Sequence, residues 1–359
     1  MKLYPEDVTY YLGNFNAACM GYAADPAIRE GAASGGVVSA LLIHMLERRA
    51  IDGALVSRIT LENGRMKAET CIATDRAGIL DARTSIYFDF DPLRPEVMDA
   101  IDRFEGGLAF VGLPCDISRM RRRMEKHPQL KDKIRLLIGL FCGHNSRKSL
   151  VQHVLHRKGI AETDLASFTF RKGLWRGQTH LLLKDGTERH FPFQHFSHYQ
   201  NLHVLAASKC SACTDHTAEH ADISAGDIWL QRMKHLGIKH SVFMSRTPSG
   251  DEALAAAMES PPVLQAEPVE PRLVFASNKR ALIYHKAIAA RSRAARLFGK
   301  TLKTPPRCRP ARWNEFLAAM IVYGVQRTCE SPRGQALFFR LPRRLVWAEL
   351  AVFKLLTNF

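Results

Sequence analysis

The chain has 359 residues, 46% of them apolar, with a formal net charge of +16 and eight cysteines. That apolar content builds a real core and excludes a disordered chain. No apolar run reaches the length of a membrane span. The opening Met1-Lys2-Leu3-Tyr4-Pro5-Glu6-Asp7 lacks the apolar region of a signal peptide, so the chain is expected in the cytoplasm. Scattered cysteines in a reducing compartment point to metal or catalysis rather than a disulfide scaffold. The arginines are not interleaved with aromatics along one stripe, so nucleic acid is not the expected partner. An acidic partner, an anionic cofactor or an anionic membrane surface suits the charge.

Residues 1 to 30 read as a mixed lead-in. Glu30 to Leu42 then opens from a small-residue turn, Ser34-Gly35-Gly36-Val37, into an apolar helix reaching about Arg49. Such a junction presents free N–H groups and a positive helix end that suit phosphate or another anion, and Gly35 and Gly36 would let a ligand approach the backbone. An N-cap and tight turn is the plainer reading of the same residues. Ile51 to Ile59 reads as turn and strand, Asn63-Gly64 as a hairpin turn, and Met66 to Ala73 as the returning strand. Ala77 to Ala82 and Pro95 to Phe104 read as helices.

Leu108 to Cys115 reads as a buried strand ending in a cysteine, followed by a basic helix from Asp116 to Met124. Leu136 to Gly143 repeats the pattern around Cys142, with Ser149 to Lys158 helical. Ligands in α/β folds gather at such strand ends, and two strand-end cysteines on neighbouring parallel strands could lie close together. Phe168 to Trp175 and His180 to Leu183 read as strands. His195, His198 and His203 read as structural histidines in an aromatic-rich segment.

Cys210-Ser211-Ala212-Cys213 brings two thiols to the spacing that serves one metal or cluster. It precedes a strand-like Ala221 to Trp229. Cys115, Cys142, Cys210 and Cys213 together read as one metal site, against the plain reading of four buried thiols. An all-cysteine set favours iron–sulfur or a structural zinc, and composition does not choose between them. Met233 to His240 carries no evident chemistry. Ser249 to Met258 reads as a helix, Pro268 to Pro271 as a linker and Asn278 to Arg296 as a basic helix. Trp313 to Val325 reads as an amphipathic helix. Residues 336–359 mix aromatic, aliphatic and basic residues and could lie on a membrane surface, dock on a partner or pack on their own domain.

The Ser34 turn, Val111-Gly112-Leu113-Pro114-Cys115, Gly139-Leu140-Phe141-Cys142, Phe170-Arg171-Lys172-Gly173, and Cys210 to Cys213 with Ala221 to Trp229 are similar, in order and spacing, to the beta subunit of coenzyme F420 hydrogenase/dehydrogenase. That family includes 7-hydroxymethyl chlorophyll a reductases. The resemblance spans roughly residues 20 to 290. It implies an FAD-binding iron–sulfur oxidoreductase acting on an organic substrate or on the deazaflavin coenzyme F420, and in bacteria a setting beside polysaccharide-biosynthesis enzymes. It makes Cys115, Cys142, Cys210 and Cys213 the ligands of one 4Fe–4S cluster, and Ser34, Gly35, Gly36 and Val37 part of the flavin site. Asp227 would orient flavin or substrate, and Arg171 and Lys172 would neutralise its charge. Many members begin with a cysteine-rich ferredoxin-like segment. Only Cys19 occurs in that region here, which implies that electrons come from a separate ferredoxin or another electron-transfer subunit. Two further readings keep the fold but change the role: an electron-transfer subunit without a substrate of its own, and a zinc-stabilised binding protein.

The expected architecture is α/β (mixed α+β). It has a central, largely parallel sheet with flanking helices and an iron–sulfur site on strand-end loops. The expected domains are an oxidoreductase domain over 1–290, in parts of about 20–150 and 151–290, and a basic helical extension over 291–359.

Overall fold

The computed structural model describes residues 5–306 and 308–358. Residues 1–4 of the stretch read as lacking a signal peptide, and Phe359 of the tail, lie outside the described residues. Eleven strands are present among the described residues: β1 (Ala17–Ala23), β2 (Gly53–Glu62), β3 (Arg65–Ala73), β4 (Leu108–Gly112), β5 (Ile134–Leu140), β6 (Leu165–Lys172), β7 (Gln178–Leu183), β8 (Glu188–Pro192), β9 (Ile223–Asp227), β10 (Ser241–Ser245) and β11 (Leu264–Pro268). Eight of them form one mixed sheet in the order β11-β1-β10-β9-β5-β4-β2-β3, and β6, β7 and β8 form a second, antiparallel sheet. The middle strands β2, β4, β5 and β9 pair in parallel. The flanking strands β3 on one side and β10, β1 and β11 on the other pair antiparallel.

The alternation of a pleated strand feeds two apolar faces. Ala54, Val56, Ala109, Leu136 and Ile138 pack on one side with Val37 and Leu41 of the helix Val37–Glu47. Leu55, Phe110 and Leu137 pack on the other with Ile117 and Met120 of the helix Pro114–Lys126. The β2–β3 hairpin turns through Asn63 and Gly64, at φ of 50° and 71°; both central residues have the positive φ of a two-residue hairpin turn.

Three readings of the sequence change. The mixed lead-in contains β1, which lies inside the large sheet between β10 and β11. Its Ala-, Cys- and Gly-rich sequence carries little of the β-branched signal that marks a strand. The linker at Pro268 is the last residue of β11. The basic helix from Asn278 is two helices, Pro271–Lys286 with a kink at Asn278, and Ile288–Leu297.

The C-terminal helices Trp313–Thr328, Pro332–Arg340 and Arg343–Leu356 are built into a core. Val322, Phe339, Leu350 and Phe353 are buried together with Phe168, Phe170 and Leu181 of the small sheet. Leu350 is fully buried, so Leu350→Ala is expected to destabilise the chain by about 2–5 kcal/mol in denaturant unfolding. A loss within the scatter of a surface substitution would show the terminal helix to be detached.

Candidate functional site

The site begins from a register. Gly112 of β4 sits opposite Gly139 of β5, and three residues beyond each lies a cysteine. Cys115 falls in the first turn of the helix Pro114–Lys126, where the Asp116 carboxylate accepts from the Leu113 N–H at 3.2 Å. Cys142 leaves β5 in a loop, its N–H donating to the His216 carbonyl at 2.9 Å. Cys210 lies in a 3-10 turn, Ser208–Ala212, and its sulfur accepts from the Asn145 N–H at 3.4 Å. Cys213 follows, its thiol donating to the Asp215 carbonyl at 3.3 Å.

The structure places these four thiols near enough to act on one another. Burial pushes the Cys142 thiol well up, and Cys210, Cys213 and Cys115 add to that push. Burial, then Asp116, takes Cys115 to about 12, and burial takes Cys210 to about 11. Four half-buried thiols held up in this way stay protonated until a cation neutralises them, since metal and cluster ligands bind as thiolates. The donor set therefore fits a cationic centre. Among the described residues no group of three or more His, Cys, Asp or Glu is drawn together tightly enough to hold a single metal ion.

Around the thiols lies a shell that the sequence reading missed. Arg291 is 1% exposed. Its guanidinium donates to the carbonyls of Ser211, Cys213 and His285, each at 2.7 Å. A buried arginine thus clasps the Cys-x-x-Cys turn from outside. His216 Nδ1 lies 2.9 Å from the Cys142 carbonyl and His285 Nε2 2.6 Å from that of Gly143; a carbonyl only accepts, so these nitrogens carry the protons. His203, read as structural, stacks on His144 at 3.9 Å. Burial pushes His144 and His216 down to about 4.

Beside the thiols, at the carboxyl end of β9, an open cleft of about 380 Å³ is lined by Ser34, Arg171, Trp175, Asp227, Trp229 and Lys239, among others. Arg171 is 2% exposed. It holds Asp227 through two bonds of 2.8 and 2.7 Å, donates to the Ala33 carbonyl, and lies over the Trp229 ring at 5.0 Å. Burial opposes its charge, but Asp227 outweighs burial and holds the guanidinium above its ordinary range. Burial raises the Tyr87 phenol, and Arg171, Asp227 and Cys142 all act on it.

Several expectations are modified here. A Cβ on Gly35 would come within 2.8 Å of the Gly21 carbonyl oxygen and 2.9 Å of the Ser241 nitrogen. The glycine therefore permits close chain packing. Gly36 caps the helix at φ 78°, and the Val37 side chain enters the core, leaving only backbone groups for a ligand. Ser34 faces the cleft while its hydroxyl donates to the His240 carbonyl at 3.1 Å. The Arg171 charge is committed to Asp227 rather than free for phosphate. Lys172, next along β6, is not part of the cleft wall, and its charge instead depresses His180, behind burial. Conversely, the segment Met233 to His240 reaches the site, because Lys239 and His240 line the cleft. The Lys239 ammonium donates to the Ala32 carbonyl at 2.6 Å, and burial and Arg171 bring it down to about 8.

Two family models match the chain. Residues 18–94 match the N-terminal part and residues 106–271 the C-terminal part of the coenzyme F420 hydrogenase/dehydrogenase beta subunit. The chain belongs to this family. A coenzyme F420 hydrogenase subunit beta of Methanococcus voltae is 29% identical over 220 residues, covering 60% of this chain and 74% of that protein. A coenzyme F420-dependent sulfite reductase of Methanocaldococcus jannaschii is 28% identical over 234 residues, which is 61% of this chain but 33% of the reductase. The fold is also that of a chain in the F420-reducing nickel–iron hydrogenase complex of Methanosarcina barkeri, with a TM-score of 0.63 and 20% identity, over 86% of this chain and all of that one. Asn278, His285 and Arg291 lie beyond the matched residues.

The buried histidines set a pH window. Their folded pKa lies below the unfolded value of about 6.5, so the unfolded chain takes up protons first. Stability is present above that value and is lost as pH falls toward about 4. The cofactor-free chain should show a melting temperature that declines steadily below pH about 6.5; a flat profile through this window would contradict neutral burial of His144 and His216.

Proposed function

We propose that the chain is an iron–sulfur flavoprotein oxidoreductase subunit. In this reading Cys115, Cys142, Cys210 and Cys213 hold one 4Fe–4S cluster, and the adjoining cleft holds FAD against a small-molecule substrate. The observation that carries the reading is that the half-buried Cys115 and Cys142 lie just past the carboxyl ends of the adjacent parallel strands β4 and β5, with Cys210 and Cys213 of the 3-10 turn near enough to act on them. A single zinc requires its thiolates about 2.3 Å from one point, whereas a cluster interposes its own inorganic core.

When bound, a 4Fe–4S cluster exchanges single electrons and a flavin couples them to two-electron chemistry. This chain's residues bind and orient. Arg171 fixes Asp227 and Trp229 on one wall. Lys239 supplies positive charge on the other, and Nε of Arg171 and Nε1 of Trp175 are buried donors without a protein partner. A wall rich in donors and cations suits an acceptor-rich anionic ligand such as FAD or a deazaflavin. The names of the relatives suggest coenzyme F420 as the two-electron partner; ferredoxin or another electron-transfer subunit is our proposal for the one-electron source. Because several relatives are named as beta subunits, an electron-transfer subunit without a substrate of its own is the second reading.

The test is anaerobic reconstitution with iron, sulfide and FAD, followed by addition of reduced methyl viologen. The expected result is prompt bleaching of bound FAD in the native chain. Cys142→Ser should bind FAD as well but bleach far more slowly. Equal bleaching in both proteins would remove the four cysteines from the electron path. Flavin reduction by a small organic donor with no partner present would exclude the second reading.

A further inference from the structure

The exposed apolar surface of this chain is concentrated in one place. Among the described residues, seven of thirteen exposed large apolar side chains lie between Trp313 and Leu355. Residues 291–359 also hold fourteen Lys and Arg against three Glu, a net +11 of the chain's +16. Charge and exposed apolar surface thus accumulate in the same segment.

The terminal helix Arg343–Leu356 shows how they are arranged. Val346, Leu350 and Phe353 form its buried face. Leu345, Ala348, Val352 and Leu355 recur at i, i+3, i+7 and i+10 on the far side, all exposed, so 3.6 residues per turn places them on one stripe. A helix apolar on two faces is normally covered on both. Arg340 and Arg344 stand exposed at the start of this stripe, and Trp347 is 57% exposed beside it. At its other end the Asn314 amide donates to the Leu356 carbonyl at 2.8 Å, which brings the exposed Trp313 and Leu317 next to it. The basic flank continues inward. Burial, then Arg280 and Arg176, lowers Lys354 to about 8, and Arg176 lines the mouth of the cleft.

We propose that this face docks the chain on a bilayer surface carrying anionic phospholipid. The stripe Leu345, Ala348, Val352 and Leu355 would lie in the headgroup–acyl boundary, the arginines on lipid phosphates, and the cleft mouth at the interface. The match is twofold: apolar side chains need cover, and the charge around them needs anions. A second copy of this chain would bring the same arginines against themselves. An acidic protein would answer the charge but has no stated claim on a continuous apolar stripe. The proposal goes beyond the cofactor reading and stands or falls separately from it.

The test is co-sedimentation of the full chain with vesicles of phosphatidylcholine alone or mixed with phosphatidylglycerol. Binding is expected to the anionic vesicles, to weaken with salt, and to fall about fivefold for each of Arg340→Ser and Arg344→Ser. The double variant Val352→Asp with Leu355→Asp should lose binding while keeping the native melting temperature, since both side chains are exposed. Equal weak partition into both vesicle types would overturn the proposal, as would unchanged binding by the Asp variant. So would a concentration-dependent dimer in sedimentation equilibrium, or a captured acidic protein, without vesicle binding.

Discussion

Because β4 and β5 run parallel with Gly112 opposite Gly139, the chain leaves both strands at the same level and on the same edge of the sheet. Cys115 and Cys142 are delivered side by side by that register alone. β9 pairs parallel with β5 on its other side, so Asp227 reaches the same edge one strand further on. Everything else in the site is brought to this edge: the Cys-x-x-Cys turn by the Asn145 N–H, Arg171 by its bond to Asp227, and the Ala32–Gly36 turn by Lys239 and Ser241. A one-residue slip between β4 and β5 would exchange the two faces of the strand and separate the thiols.

The electrostatics of this edge are divided. The thiol pocket is half-buried, and its raised thiols become stable as an anionic site only with a cationic centre inside it. Its outer support is neutral or positive: buried neutral histidines and the Arg291 clasp, whose hydrogen bonds all go to carbonyls. The cleft next door is donor-rich, with its carboxylate Asp227 taken up by Arg171. A centre that accepts single electrons and a ligand rich in acceptors would each meet the environment it needs within one continuous edge.

Much of this was legible in the sequence because it is local. Strand-end cysteines, the Asn63-Gly64 hairpin and the Ser34 turn are patterns of a few adjacent residues. What escaped is non-local. Lys239 and Arg291 look like solvated cations in sequence; only tertiary folding places one beside Arg171 and buries the other against Cys213. Small residues hid β1, and β8, with Glu188-Arg189-His190 exposed, lacks an apolar run. Arg171 and Lys172 were read as equivalent, but neighbours on a strand face opposite sides, and only Arg171 reaches the cleft. The packing that requires a glycine at position 35, against Gly21 and Ser241, is likewise non-local.

The central claim is that four cysteines from three loops form one iron–sulfur site. Iron, acid-labile sulfide and zinc should be determined on the chain purified without oxygen, in native form and as Cys115→Ser. About four irons and four sulfides per chain, the content of a single cubane, lost together in the variant, is the predicted result. Stoichiometric zinc without sulfide, or iron unchanged by Cys115→Ser, would contradict it.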